Sequence, residues 1–96
     1  MNRQERHNFL LQRLAEMYDW LASRNKMQPM TVEVTVHVEG RDWSTLGRYA
    51  RNTLAEAASK ADGMYGYHGI IGVAIKTVRN DCRGYNKLEV GFEEPT

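Results

Sequence analysis

Residues 31–39, TVEVTVHVE, alternate without interruption, with Val32, Val34, Val36 and Val38 on one side and Thr31, Glu33, Thr35, His37 and Glu39 on the other. A period of two in β-branched residues predicts a half-buried strand over residues 30–39. Ahead of it the period changes. Leu10, Leu14, Met17, Tyr18 and Leu21, flanked by Leu11, Ala15 and Ala22, recur at three- and four-residue spacing, which predicts an amphipathic helix within residues 1–26. Gln28-Pro29 marks its end, because the residue before proline is driven out of the α region.

Beyond the strand, Gly40-Arg41-Asp42 turns the chain, and Trp43, Leu46, Gly47, Ala50, Leu54, Ala57 and Ala61 then share one helical face. They predict a second helix over residues 43–62, with Asp42 or Ser44 as N-cap. Residues 63–69 form a glycine-punctuated loop carrying Tyr65, Tyr67 and His68. A β-hairpin is expected over residues 70–94: Ile71, Val73 and Ile75 alternate in one arm, Leu88, Val90 and Phe92 in the other, with the bend near Asn80–Gly84.

The order reads as a single α+β domain over residues 1–96: an N-terminal amphipathic helix followed by β-α-β-β, a three-stranded mixed sheet packed against helices. The simplest path from strand to helix to strand is a right-handed crossover between parallel strands. Open sheet edges then favour a homodimer or a higher homo-oligomer.

Two large residues fall outside the first helix's apolar stripe. Phe9 and Trp20 project opposite its centre, with Arg13 between them. They are either covered by the domain itself or form an aromatic-arginine strip of the kind enriched at binding hot spots.

Charge sharpens the picture only when it is resolved along the chain. Thirteen basic residues oppose 12 acidic ones, for a net +1. Locally, residues 76–87 carry +3, from Lys76, Arg79, Arg83 and Lys87 against Asp81, and residues 88–96 carry −3. A chain that lives on phosphate contacts would show a larger positive excess. The basic hairpin bend, with Tyr85 inside it, is nevertheless a candidate nucleic-acid contact that Tyr65, Tyr67 and His68 would assist by stacking on bases.

Cys82 is the only cysteine, so an intramolecular disulfide and a Cys-rich zinc site are both ruled out. His37 and Glu39 share a strand face, but the Pro-Cys-x-x-Cys element that would complete a zinc-deaminase pattern is missing. No metal site, cofactor or complete catalytic motif is expected. Neither a signal-peptide core nor a run of about 18 apolar residues is present, so the expected location is the cytoplasm, away from membranes.

The leading functional expectation is a non-enzymatic binding or regulatory protein that occludes or bridges a protein partner. In character it is like a small phage-encoded inhibitor of a host nucleic-acid machine. Nine of the 13 basic residues are Arg, the type suited to bidentate and stacked contacts. Candidate contacts are Phe9, Arg13, Trp20, Tyr65, Tyr67 and His68. The alternatives are a nucleic-acid-binding module using Lys76, Arg79, Arg83, Tyr85 and Lys87, and a small oligomeric ligand-binding protein or enzyme that assembles His37, Glu39 and His68 between subunits.

Overall fold

The computed structural model describes residues 2–25, 30–78 and 87–92. Helix α1 spans Arg3–Asn25. The Asn2 side chain caps it, accepting the Glu5 backbone N–H at 2.9 Å. The predicted stripe is the buried one: Leu10, Leu14, Met17, Tyr18, Leu21 and Ala22 are all sealed from solvent. At its far end the Tyr18 hydroxyl donates to the Met30 carbonyl at 2.5 Å and accepts the Met30 N–H at 3.2 Å. One phenol thereby satisfies both backbone groups of the residue that leads the chain into the sheet.

Strand β1, Val32–Val38, buries its four valines and leaves the alternate positions half-exposed, as the alternation predicts. The next segment departs from expectation. Residues Trp43–Tyr49 form strand β2, antiparallel to β1, instead of the first half of a helix. A turn in which the Arg41 N–H reaches the Val38 carbonyl at 2.9 Å reverses the chain. The β1–β2 register then shifts: Gly47 lies opposite Val34 and Thr45 opposite Thr35, leaving Leu46 as an extra, bulged residue. Gly47 adopts φ +136°, a backbone state closed to a helix and to most L-residues.

A short 3-10 turn at Arg51–Thr53 leads into helix α2, which spans only Leu54–Tyr65. Its buried face is Leu54, Ala57, Ala58 and Ala61. The small side chains let α2 lie close against α1 and the sheet, so its stability rests on fit more than on buried area. Gly66 ends it, its N–H returning to the Asp62 carbonyl at 2.9 Å. A 3-10 turn at Tyr67–Gly69 follows, then strand β3, Ile70–Thr77, and strand β4, Lys87–Gly91.

The sheet therefore has four strands in the order β2-β1-β3-β4, and every neighbouring pair is antiparallel. The expected three-stranded mixed sheet is corrected accordingly. The strand after β1 returns as a hairpin before the helix begins, so α2 carries the chain from β2 across β1 to β3, and no parallel neighbours arise. The expected final hairpin is present as the β3–β4 pair, while its bend lies outside the described residues. Both helices contribute to a single core with the inward valines of β1 and with Val73, Ile75 and Phe92. No described helix is long and apolar enough to cross a membrane.

Candidate docking surface

Because the core lies on one side of the sheet, strand alternation sends every second side chain to the other side. The register arranges that outer face in three cross-strand rows. One row is Trp43, His37, Gly72 and Gly91; the next is Thr45, Thr35, Ala74 and Glu89; the last is Arg48, Glu33, Lys76 and Lys87. Among the described residues no helix packs on this face, and Trp43, Thr45, Arg48, Lys76, Lys87 and Glu89 are exposed there.

The first row is built around a missing side chain. Trp43 starts on the edge strand and lies across His37, ring centroids 5.0 Å apart and planes 25° from parallel. Its far edge reaches Gly72 on β3, where a methyl group would sit 3.1 Å from Trp43 Cη2 and 3.3 Å from His37 Cβ. The glycine is the shelf that lets the indole lie flat. Trp43 remains 39% exposed, and Ile71, the extra residue where the β1–β3 register shifts, is 41% exposed. Gly91 opens onto empty space, so the row ends in a shallow apolar step.

The last row carries the charge. Glu33 has Arg48 as its cross-strand neighbour on one side and Lys76 on the other. Lys87 Nζ meets Glu89 Oε2 at 3.1 Å, with both side chains about half exposed. A pair so exposed contributes little to stability. Across these three rows of described residues, three cations stand against two carboxylates.

Most of the contacts expected from sequence lie elsewhere. Phe9 is half-buried against Phe92, 5.2 Å between centroids, so the domain itself covers it. Trp20 is half-buried, with the Arg24 guanidinium 3.8 Å over its ring, and Arg13 is half-buried on the same helix. Tyr65 hydrogen-bonds through its hydroxyl to Ser44 Oγ. Tyr67 is buried; its hydroxyl donates to the Ala58 carbonyl at 3.3 Å and meets His7 Nδ1 at 2.8 Å. Both tyrosines are thus engaged within the fold; His68 is exposed on the turn that follows α2. Lys76 and Lys87 belong to the outer sheet face; Arg79, Arg83, Tyr85 and Cys82 lie outside the described residues.

A second concave region lies on the helical side, between the start of α1 and the end of α2. Arg3 spans it to Asp62, Nη2–Oδ2 2.5 Å and Nε–Oδ2 2.6 Å. One cavity, about 560 Å³, is lined by Gln4, His7, Ser59 and Gly63 besides Arg3, Asp62 and Tyr67. The other, about 230 Å³, is lined by Arg6, Gly66 and His68 besides the same three. Burial pushes the Tyr67 phenol above its ordinary pKa, the Asp62 charge adds to the effect, and Arg3 opposes it. The phenol therefore stays neutral and holds its hydrogen bonds.

The described residues hold no cluster of three or more His, Cys, Asp or Glu able to bind a metal. His37, considered from sequence as a ligand beside Glu39, stacks the face of its ring on Trp43. Compared with known protein families, with curated proteins and with solved structures, the chain matches none.

Proposed function

We propose that this chain is a non-catalytic docking protein that engages a protein partner through the outer face of its sheet, around Trp43. The observation that carries this reading is the indole held flat and partly exposed across His37 and Gly72. Trp is the residue type most often found as an interface anchor, and an anchor already held in place loses little conformational freedom on binding. The occupant we infer is a folded protein surface. It would place an apolar side chain on the step beside Gly91 and set carboxylates, with fewer cations, against the Arg48-Glu33-Lys76-Lys87 row. Three cations with two interspersed carboxylates suit such a mixed surface better than a phosphate backbone, which would repel Glu33 and Glu89. Its action would be steric: whatever lies under the sheet is covered.

The test places a photo-crosslinking residue at Thr45, on the face, or at Lys60, on the helical side, in the cells that make the protein. The reading expects a discrete protein adduct from position 45 and none from position 60, lost on Trp43→Ala and insensitive to nuclease. It is overturned by no adduct at position 45, by one that disappears with nuclease, by one twice the mass of the chain, or by indifference to Trp43→Ala.

A further inference from the structure

The two edges of the sheet are finished differently. At the β2 edge the bulge at Leu46 interrupts the strand, and the Tyr49 hydroxyl donates to the Leu46 carbonyl at 3.1 Å. A bulge and an occupied carbonyl both discourage further pairing. β4 has neither. Its register with β3 runs unbroken from Lys76↔Lys87 to Gly72↔Gly91, and among the described residues no strand lies beyond it.

Alternation along β4 identifies the backbone groups that face outward. The Phe92 N–H donates to the Ile71 carbonyl at 2.9 Å, which makes that pair a hydrogen-bonded one. In the same register Val90 and Leu88 also bond to β3, so the N–H and C=O groups of Lys87, Glu89 and Gly91 point away from the sheet. The side chains of this margin are only half-covered. Leu88 and Val90 lie on the core side yet stay half-buried, as does Phe9 where it packs on Phe92. On the outer face Lys87 and Glu89 form their half-exposed pair.

We propose that β4 is a self-association edge: a second copy of the chain adds antiparallel to it across a two-fold axis at Leu88, joining two four-stranded sheets. The occupant follows from self-complementarity. An axis at Leu88 sets Lys87 opposite Glu89 of the second copy, and Glu89 opposite its Lys87. These residues carry the outward backbone groups, so each pair exchanges hydrogen bonds while its side chains bring opposite charges together. The ion pair within each chain need not open, because an ammonium has three donors and the charges alternate in sign around the axis. On the core side Leu88 meets its own copy and the apolar margin is covered. An axis at Glu89 would set carboxylate against carboxylate, and one between two residues would set an apolar position opposite a charged one. A joint of one short strand is smaller than an obligate dimer interface, so association is expected to depend on concentration. Trp43 and Thr45 stay at the opposite edge of the sheet, so this joint leaves the docking face open and does not rest on that reading.

Sedimentation equilibrium of the full chain, over about a hundredfold range of concentration, is expected to show monomer passing to dimer. Lys87→Glu and Glu89→Lys should each stay monomeric, since either sets like charges against each other across the joint. Mixed together they should form a heterodimer, one chain then supplying two carboxylates and the other two ammonium groups. A damaged fold could not produce recovery on mixing. Disulfide trapping in a Cys82→Ser background checks the register. Leu88→Cys should oxidise to a linked dimer, because a residue on the axis meets its copy at about 4.5 Å between Cα atoms. Val90→Cys should not, its copy lying about 13 Å away. Trp43→Ala should dimerise like the unaltered chain. The proposal is overturned by a chain that stays monomeric throughout, by a dimer indifferent to both charge reversals, or by no heterodimer on mixing. Trapping at position 90 in place of 88, or loss of the dimer on Trp43→Ala, would overturn it equally.

Discussion

A methyl group at position 72 is the smallest change that separates the proposed docking face from the fold beneath it. Gly72 has no positive φ, so alanine is allowed on the backbone, and its methyl points to the outer side. There it would lie 3.1 Å from Trp43 Cη2, a distance that closes only if the indole moves. Trp43 is a surface residue and can lift by a few tenths of an ångström without disturbing the core. Gly72→Ala is therefore expected to change global stability by less than about 1 kcal/mol, while altering the Trp43 emission and near-ultraviolet dichroism in a Trp20→Phe background. Unchanged Trp43 spectra would show that the glycine shelf does not set the ring's position. The same substitution should reduce crosslinking from position 45, because the anchor would no longer lie flat.

At the scale of elements, β2 shows what a sequence reveals and what it conceals. The α1 stripe and the β1 alternation were both legible because their periods run unbroken from end to end. In β2 the bulge at Leu46–Gly47 puts Leu46 inward out of turn and breaks the period of two. What remains, Trp43, Leu46, Ala50, Leu54, Ala57 and Ala61, has helical spacing, and its second half is indeed helical. Helical spacing also hides the candidate site, since it groups Trp43 with Leu54, Ala57 and Ala61, which are buried, whereas Trp43 is exposed. The one local warning was Gly47 in mid-segment, which marks a bulge in a strand and weakens a helix. Tyr65 and Tyr67 misled for a related reason. A glycine-rich stretch suggests an exposed loop, but α2 continues through Gly63 to Tyr65 and a 3-10 turn carries Tyr67, so the Tyr65 phenol reaches Ser44 and the Tyr67 phenol reaches His7 and Ala58. Gly47 carries its own prediction. Its φ of +136° and the Tyr49 hydroxyl 3.3 Å from an added methyl make Gly47→Ala destabilising by about 1–3 kcal/mol. Urea denaturation should show a lower midpoint with an unchanged slope; an unmoved midpoint would mean that β2 can repair its register without the bulge.

For the whole molecule, the net charge of +1 conceals a surface divided between two kinds of chemistry. The helical side gathers guanidinium groups into a concavity. The sheet side spreads three cations and two carboxylates around an aromatic anchor, and the affinity of such a face should respond to salt in a way that identifies its occupant. If Arg48, Lys76 and Lys87 each neutralised a phosphate of a duplex, the counterion-release slope would be about −2.7, and binding would fall about forty-fold between 50 and 200 mM salt. A protein partner sets opposite charges against both signs on this face. Its release of ions is then small, and the apolar contact at Trp43 is almost indifferent to salt at these concentrations. Capture of the crosslinked partner is therefore expected to drop less than about fivefold over that range, and Trp43→Ala should cost more than Lys76→Gln and Lys87→Gln together. A forty-fold loss, with the two lysines outweighing the tryptophan, would reassign the sheet face to a polyanion and leave the indole as a stacking platform for its bases.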